Sequence, residues 1–358
     1  MQNYLAIDAG GTSTRAVFLD STGACRGYGT AGGGNPVSRG FGPALEALTR
    51  ASSMALEGTP RTISGVLVAM AGASLELPTH LYRDSFEMLG LTGNAMIESD
   101  LLAAFYSGSY HDDGFALIAG TGAVGARISG SRLAAVADGT GWLLGDEGSG
   151  FWLGREVARA VAAALDGRGQ ATGLTELLLA ELGIDARPQA LVQGRVRAQQ
   201  QLIAKVYEHG SIELSRFAPL VFAVQDDAVA KDIVQRAAKA LAQTLLAVSQ
   251  GFGAGEVVAG GTGTDGTSGA MRAAPVAALP LVFGGSVLTK GGTVAQAVVN
   301  ALAATAREGD AVATTAIAPV LVEDGVVGSA VLVLKRHGIA VDEAVFARIQ
   351  DSLAAIRG

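Results

Sequence analysis

The residues best suited to chemistry lie near the amino terminus, in YLAIDAGGTSTRAVFLDSTG at residues 4–23. An apolar run ends at Asp8, and a second apolar run follows after a short turn. The turn carries glycines and hydroxyl residues: Gly10, Gly11, Thr12, Ser13 and Thr14. Glycines let backbone amides approach a polyphosphate, hydroxyls add donors, and Asp8 can hold a hydrated magnesium ion. The pattern predicts a phosphate-binding turn, with a plain β-hairpin turn as the structural alternative.

This turn differs from two common nucleotide-binding loops. The chain contains no G-x-x-x-x-G-K-[ST] string, which excludes a Walker loop. The second apolar run also returns at once, where a Rossmann fingerprint would begin a helix. Both of those nucleotide folds are therefore set aside.

A second acidic position, Asp100, ends a buried-looking strand and begins the helix-like segment LLAAFYSG. A helix amino terminus favours the ionised form of a carboxylate placed there. Asp100 is thus either a helix cap or a general base that accepts the proton of a substrate hydroxyl.

The segment DGTGWLLGDEGSGFWLG at residues 138–154 places two acids, Asp146 and Glu147, on a glycine-rich turn before a helical pattern. Carboxylates held on such a turn suit hydrogen bonding to neighbouring sugar hydroxyls. The structural alternative is helix capping by Asp146 or Ser149, with both tryptophans in the core. We favour the functional interpretation, because capping requires neither two acids nor six glycines.

Short strand-like runs alternate with helical patterns along the chain, which indicates an α/β protein. LAIDAGGTSTRAVFLD and ALIAGTGAVGARISG share a strand, a glycine turn and a returning strand, which predicts two similar halves. We place the division near Gly114, giving domains of residues 1–114 and 115–337, with a final helix at 338–358 packing back onto the first domain. Helices are expected near residues 150–165, 173–183, 190–209, 227–251 and 293–307 and from about 341. Strands are expected at Val257 and Val258 and at LPLVFGG, and the Gly260–Gly269 loop is expected to be a mobile insertion.

Composition limits the classes of function. The chain has 358 residues, 49% of them apolar, a formal net charge of -7 and a pI of about 5.2. No broad basic surface for nucleic acid is expected from this balance. The single cysteine, Cys25, excludes an internal disulfide and a cysteine-cluster metal site within one chain. With no signal-peptide pattern and no membrane-span pattern, we expect a cytoplasmic protein.

Taken together, the motifs resemble one family over nearly the whole chain: the BadF/BadG/BcrA/BcrD ATPase family of the actin/hexokinase/Hsp70 superfamily, in its N-acetylglucosamine kinase branch. The motifs are IDAGGTSTRAVFLD, the Ser99–Asp100 pair, IAGTGAVGARI, GWLLGDEGSGFWLG, LVFGGSV and GVVGSAVLVL. The resemblance implies two ribonuclease H-like domains that face each other across a nucleotide and sugar cleft. It also implies a homodimer that uses ATP and Mg2+.

The resemblance implies a role for each matching residue. The nucleotide would be bound by two phosphate loops and an adenosine contact, at Gly10, Gly11, Thr12, Ser13, Thr14, Gly120, Thr121, Gly122, Gly284, Gly285 and Ser286. The sugar would be bound by Asn35, Thr121, Gly139, Thr140, Asp146 and Gly150. Asp100 would be the catalytic base, and Asp8 would hold magnesium through water. The implied reaction is phosphorylation of the primary hydroxyl of an amino sugar, foremost N-acetylglucosamine to its 6-phosphate.

Three departures from the family pattern stand out: two bear on the phosphate contacts, and the third, in the sugar loop, keeps the choice of sugar open. Ala9 stands where a third glycine is usual, Ser13 where lysine is frequent, and the loop from Asp138 to Trp142 differs from the usual Gly-Gly-Trp-Gly. Glucosamine and N-acetylmuramate therefore remain alternatives.

Other classes of protein are also weighed. An activator ATPase of radical dehydratases would need cysteines for an iron–sulfur cluster between subunits, and Cys25 is poorly placed for that. A ROK-type sugar kinase would need a cysteine-rich zinc motif, which this sequence lacks. A regulator without turnover on the same fold remains, because fold alone does not prove catalysis.

Overall fold

The computed structural model describes residues 2–59, 62–71, 79–185, 191–208, 210–224, 226–250, 279–307 and 318–357. The chain divides into two compact units. The first unit comprises Met1–Ala116, Ile128–Leu133 and Val320–Gly358, and the second comprises Leu117–Arg127 and Ala134–Pro319. The domain boundaries drawn from the sequence stay a prediction. The expected strand at Val257 and Val258 and the Gly260–Gly269 loop lie outside the described residues.

The described elements alternate between strands and helices. The strands are β1 Asn3–Ala9, β2 Thr14–Asp20, β3 Cys25–Ala31, β4 Ile63–Met70, β5 Leu91–Ser99, β6 Gly114–Ala119, β7 Ala123–Ser129, β8 Arg132–Asp138, β9 Leu191–Val192, β10 Arg195–Val196, β11 Leu281–Gly284 and β12 Val320–Val322. The α-helices are α1 Pro36–Arg39, α2 Phe41–Ala55, α3 Thr79–Glu87, α4 Asp100–Gly108, α5 Gly150–Leu165, α6 Leu174–Glu181, α7 Arg197–Tyr207, α8 Ala228–Gln250, α9 Ser286–Thr289, α10 Thr293–Arg307, α11 Val326–Arg336 and α12 Glu343–Arg357, and a 3-10 helix spans Ser211–Phe222. None of the helices among these residues is long and apolar enough to cross a membrane.

The predicted mixed α/β fold is confirmed by two five-stranded sheets. The sheet orders are β3-β2-β1-β4-β5 and β12-β11-β6-β7-β8. In the first sheet, β1 pairs with β2 in antiparallel and with β4 in parallel orientation, and β4 pairs in parallel with β5. Ala9 is in register with Met70, and Met70 with Ser99. The carboxyl ends of these three strands thus share one edge, so the residues that follow them lie together.

The first sheet is buried on both faces. Tyr4, Leu5, Ala6 and Ile7 are all at most 1% exposed, which explains why β1 has a continuous apolar run rather than an alternating one. Helix α2 packs on β2 and β3, whereas α11 packs on β1 and β4. The final helix α12 packs on β3, where the Ser352 hydroxyl accepts the Cys25 N–H at 2.9 Å.

One local expectation from the sequence is wrong, and one helix was not predicted. The helix expected at 190–209 begins only at Arg197, because residues 191–196 form the β9–β10 hairpin. Its turn uses Gln193 and Gly194, both at positive φ. The sequence pattern also does not predict helix α11, since its Val-rich sequence favours a strand.

Helix α11 owes its place to close contact with α4. A Cβ atom at Gly328 would overlap the carbonyl oxygen of Ala103, so the two helices approach at a position that only glycine permits. The Gly328 N–H donates to the Ser107 hydroxyl at 2.9 Å, and that hydroxyl donates to the Ala103 carbonyl at 2.9 Å. The contact is therefore both tight and hydrogen-bonded.

We predict that Gly328→Ala destabilises the protein by about 1–3 kcal/mol, because the helices must separate to admit a methyl group. Gly42→Ala is the matched control: Gly42 lies in α2, a methyl group added there would meet no described atom within 4 Å, and alanine is the better helix former. The midpoint of thermal unfolding measures both variants. An unfolding midpoint for Gly328→Ala equal to that of Gly42→Ala would contradict this account of the helix contact.

Candidate active site

The predicted first phosphate loop joins β1 to β2 in the first unit. The Gly10 N–H donates to the Ser13 carbonyl at 2.9 Å, which closes the turn, and the Gly10 carbonyl accepts the Gly34 N–H at 3.1 Å. Gly11 and Thr12 are exposed. Among the described residues, the backbone N–H groups of Gly11, Thr12 and Ser13 have no hydrogen-bond partner. Successive free N–H groups of this kind form an anion-binding concavity.

Thr14 behaves differently from its neighbours in the loop. Its side chain is fully buried, and its hydroxyl donates to the Gly32 carbonyl at 2.7 Å. The hydroxyl donor is thereby used to tie the loop to the segment after β3. A phosphate contact by Thr14 stays a prediction that the geometry does not favour.

Asn35 lies beside this loop. A Cβ atom at Gly33 would overlap the Gly11 carbonyl, so the glycine run before Asn35 lets that segment pass directly against the phosphate loop. The Asn35 side chain is 7% exposed and donates to the Ala71 carbonyl at 3.4 Å. The predicted sugar-binding residue and the predicted phosphate loop are thus neighbours within one unit.

Asp8 is the most electrostatically perturbed carboxyl of this loop. Burial raises its pKa to about 6, and the charges of Asp324 and Asp100 add to the rise. Two contacts oppose it: the Gly325 N–H donates to Asp8 Oδ2 at 3.0 Å, and Arg15 lies 3.8 Å from the same oxygen. The negative charge on Asp8 is therefore only partly compensated.

Two partners of Asp8 were missed by the sequence analysis. Arg15 donates to the Ser13 hydroxyl at 2.9 Å and its Nε lies 3.3 Å from Asp324 Oδ2. Asp324 in turn accepts the Val326 N–H at 3.1 Å at the start of α11 and pairs with Arg357 at 3.1 Å. These residues come from opposite ends of the chain, so local patterns offered no signal for the cluster.

Asp100 lies at the shared edge of the first sheet, directly after β5. The alternative in which Asp100 caps the helix is wrong, because the cap is Ser99, whose hydroxyl accepts the Leu101 N–H at 3.2 Å. Burial raises the pKa of Asp100, and hydrogen bonds from the Leu101 N–H and the Ser99 hydroxyl partly offset the rise. Asp100 is therefore a half-buried carboxyl near Asp8 at the first position of α4, one residue after the N-cap.

The donors around Asp8 fit a hydrated magnesium ion that is shared with a nucleotide. No group of three or more His, Cys, Asp or Glu side chains suited to a metal occurs among the described residues. Mg2+ commonly uses one or two carboxylates together with waters and substrate phosphates. A buried carboxyl whose charge is only partly compensated, beside free backbone N–H groups, matches that donor set.

The predicted second phosphate loop, Gly120 to Gly122, joins β6 to β7. Helix α5 fixes it, because the Gly150 N–H donates to the Gly120 carbonyl at 2.7 Å and the Phe151 N–H to the Thr121 carbonyl at 3.1 Å. Within the described part of the chain, the N–H groups of Thr121 and Gly122 have no hydrogen-bond partner. The second loop therefore offers free donors as the first does.

Asp146 supports this second loop. It is 8% exposed, and its Oδ1 accepts the Ala123 N–H at 3.0 Å. Burial raises the pKa of Asp146, the Ala123 hydrogen bond lowers it, and the charge of Asp138 raises it. A Cβ atom at Gly122 would lie 2.9 Å from Asp146 Oδ1, so glycine is needed for this approach.

Asp138 organises the acidic turn, which the sequence analysis did not foresee. Its two carboxylate oxygens accept the backbone N–H groups of Asp146 at 2.7 Å and Glu147 at 3.0 Å. Gly139 follows at φ +69°, and the Thr140 hydroxyl donates to Asp138 at 3.5 Å. The departure from the family pattern at Asp138 thus serves to hold the loop that carries Asp146.

The capping alternative for this segment is partly correct. Ser149 caps α5 by accepting the Trp152 N–H at 3.1 Å, and Trp152 is core at 5% exposed. Trp142, however, is 42% exposed, and Asp146 caps nothing through its side chain. Helix capping therefore leaves the roles of Asp146 and Trp142 unexplained.

The predicted adenosine contact lies on the same unit. Gly285 has φ +84°, and a Cβ atom there would crowd the Gly120 N–H at 2.8 Å, so Gly284 and Gly285 pass directly behind the second loop. Ser286 follows at the start of α9 and lines a cavity together with Gly120, Thr121 and Gly150. Three separately predicted groups of residues thus meet at one cavity.

The raised pKa of Asp8 predicts that the ionised form of this carboxyl destabilises the folded protein. The folded protein binds a proton that the unfolded chain has released, so stability falls as pH rises from about 4 to about 6. Asp8→Asn keeps an acceptor for the Gly325 N–H but removes the charge. In metal-free buffer at pH 8 we expect Asp8→Asn to unfold at a higher temperature than wild type. The corresponding gain in the free energy of unfolding is at most about 3 kcal/mol.

At pH 4.5 the difference in stability should shrink to about 1 kcal/mol, because Asp8 is then protonated in the folded protein but mostly ionised in the unfolded chain. The exposed Asp351, changed to Asn, is the control and should not differ from wild type at either pH. Equal or lower stability of Asp8→Asn at pH 8 would show that the charge on Asp8 is fully compensated.

Comparison with known proteins agrees with this geometry. The N-acetyl-D-glucosamine kinase of Dictyostelium discoideum is 28% identical over 267 residues, which cover 70% of this chain and 80% of that protein. The N-acetylmuramic acid/N-acetylglucosamine kinase of Clostridium acetobutylicum is 26% identical over 52% of this chain, and the match spans 58% of the relative's own length.

A similar fold occurs in a Porphyromonas gingivalis protein provisionally described as an N-acetylglucosamine kinase. Its crystal structure matches with a TM-score of 0.65 at 20% identity, over 93% of this chain and 99% of that one. At that identity the likeness shows the fold alone. The family model of the BadF/BadG/BcrA/BcrD ATPases matches residues 5–333, and the chain therefore belongs to that ATPase family.

Proposed function

We propose that the protein is an ATP-dependent amino-sugar kinase that phosphorylates the primary hydroxyl of N-acetylglucosamine to give the 6-phosphate. Membership of an ATPase family supports nucleotide use. The likeness to a kinase of N-acetyl-D-glucosamine over 80% of that relative supports the sugar.

The observation that carries the proposal is the placement of Asp100 close enough to Asp8 for their charges to interact. Asp8 adjoins a loop with backbone donors that have no partner among the described residues, and Asp100 is a half-buried carboxyl at the first position of α4. A base next to a phosphate-binding loop is what transfer of a phosphoryl group to a hydroxyl needs, since that reaction asks mainly for positioning and charge stabilisation.

In this mechanism Asp100 accepts the proton of the sugar's primary hydroxyl as the hydroxyl oxygen attacks the terminal phosphorus of ATP. The bond between that phosphorus and ADP breaks, and ADP leaves. The amino terminus of α4 and the Leu101 N–H favour the ionised carboxylate, whereas burial opposes it. The net effect raises the pKa of Asp100, which makes it a stronger base than an exposed aspartate.

Each of the two loops offers backbone donors for phosphate groups. The N–H groups of Gly11, Thr12 and Ser13, and those of Thr121 and Gly122, would donate to phosphate oxygens. A magnesium ion held by Asp8 through water, when bound, would neutralise charge on the transferring phosphoryl group. Arg15 would hold Asp8 and Ser13 in place through its contacts with both.

Asn35 and Asp146 would bind the sugar, with Gly139, Thr140 and Gly150 near its 2-substituent. Because the Clostridium relative is named for both N-acetylmuramic acid and N-acetylglucosamine, N-acetylmuramate is the second candidate substrate. Glucosamine is the third. A cytoplasmic homodimer completes the proposal, and sedimentation equilibrium tests the dimer.

A coupled assay of ADP release tests the function directly. We expect turnover with N-acetylglucosamine, and the ranking of N-acetylmuramate, glucosamine and glucose gives the specificity. Nucleotide binding without turnover on any of these sugars would instead support a regulator on the same fold.

We predict that Asp100→Asn lowers kcat by about 10²- to 10⁴-fold, because the amide cannot accept the hydroxyl proton. Affinity for the sugar, measured by calorimetry, should change by less than about threefold, since the side-chain shape is kept. Asp351→Asn is again the control with unchanged turnover. Substantial kcat in Asp100→Asn would remove this residue from the role of base.

We predict that Asp146→Asn raises the KM for the sugar by about 10- to 100-fold, the effect of losing a hydrogen bond to a charged group. The amide oxygen can still accept the Ala123 N–H, so the KM for ATP should change little. Glu147→Gln is the matched control, because Glu147 is the exposed neighbouring acid. A larger effect in the control than in Asp146→Asn would assign the sugar contact to Glu147.

A further inference from the structure

A cavity of about 210 Å³ in the second unit extends beyond the residues assigned above. Its walls come from the second phosphate loop, α5, the 3-10 helix and the segment that contains α9. The lining residues that matter here are Gly120, Thr121, Ser215, Phe222, Ser286 and Lys290.

The residues that line the cavity differ in chemistry. Gly120 and Thr121 come from the second phosphate loop, and the 3-10 helix contributes the apolar residues Ala218 and Phe222. Ser215 and Ser286 add hydroxyl groups. The volume is below the roughly 300–1,000 Å³ of a pocket for a whole drug-sized ligand, so it suits part of a nucleotide rather than all of it.

Lys290 is the only charged residue among those that line this cavity. Its side chain is exposed, and within the described part of the chain it makes no hydrogen bond or ion pair. The Lys290 N–H donates to the Ser286 carbonyl at 3.1 Å, which places the two residues one helical turn apart on the same wall. A cation that lines a cavity next to a phosphate loop, and that has no counter-ion among the described residues, is complementary to an anionic group.

We propose that Lys290 is a nucleotide-binding residue whose ammonium group pairs with a phosphate of the nucleotide held in this cavity. The proposal rests on the nucleotide part of the proposed function and is independent of the sugar. Lys290 adds a charged contact to the lining of this cavity, which otherwise offers only backbone groups, hydroxyls and apolar surface.

Calorimetric titration of the full-length protein with ADP and with adenosine, in the absence of sugar, tests it. Lys290→Met keeps the aliphatic stem and removes the charge, so ADP should bind about 10-fold more weakly while adenosine binding stays within about twofold. Lys290→Arg should restore ADP affinity to within about threefold of wild type. The loss in Lys290→Met should also shrink as salt is raised, because the pair is exposed.

Lys239→Met is the matched control: an exposed lysine of the same unit that lies outside the cavity lining. Unchanged ADP binding in Lys290→Met, equal losses for ADP and adenosine, or an equal loss in Lys239→Met would each overturn the proposal. Failure of the kinase proposal would look different: ADP binding would still depend on Lys290, but no amino sugar would be phosphorylated.

Discussion

The structure of the first half of the candidate site depends on one partly compensated negative charge. Asp8 lies one residue before the end of β1, and its pKa is raised to about 6 by burial and by the charges of Asp324 and Asp100. Arg15 and the Gly325 N–H stabilise the negative charge on Asp8 but compensate it only in part. A protein gains no stability from such an arrangement, so the excess of negative charge is best explained by a cation that arrives with the substrate.

Glycine residues allow the close approaches that build both parts of the candidate site. The Gly328 position brings α11 against α4, which sets Asp324 and Gly325 beside Asp8. In the second unit, Gly122 admits Asp146 and Gly285 passes behind the second loop. These glycines thus lie where backbone must approach backbone or carboxylate, rather than in flexible linkers.

Local sequence predicted the strands and turns that carry the candidate residues, and tertiary contacts decided their surroundings. The strand and turn around Asp8 could be predicted because a continuous apolar run and paired glycines are local signals. The helix α11 could not, because its valines favour a strand and only packing on α4 and β1 makes it helical. Arg15 could be seen as a charge near the loop, but its partner Asp324 lies near the other end of the chain. Asp138 was noted only as a departure from a motif, since its role requires the folded turn.

The central claim is that Asp8 supplies the carboxylate for a nucleotide-borne cation. The most direct measurement is the affinity of a nonhydrolysable ATP analogue, determined by calorimetry with and without Mg2+, for wild type and Asp8→Asn. The account predicts that Mg2+ strengthens binding to wild type and has little effect on Asp8→Asn. An equal gain from Mg2+ in both proteins would contradict it.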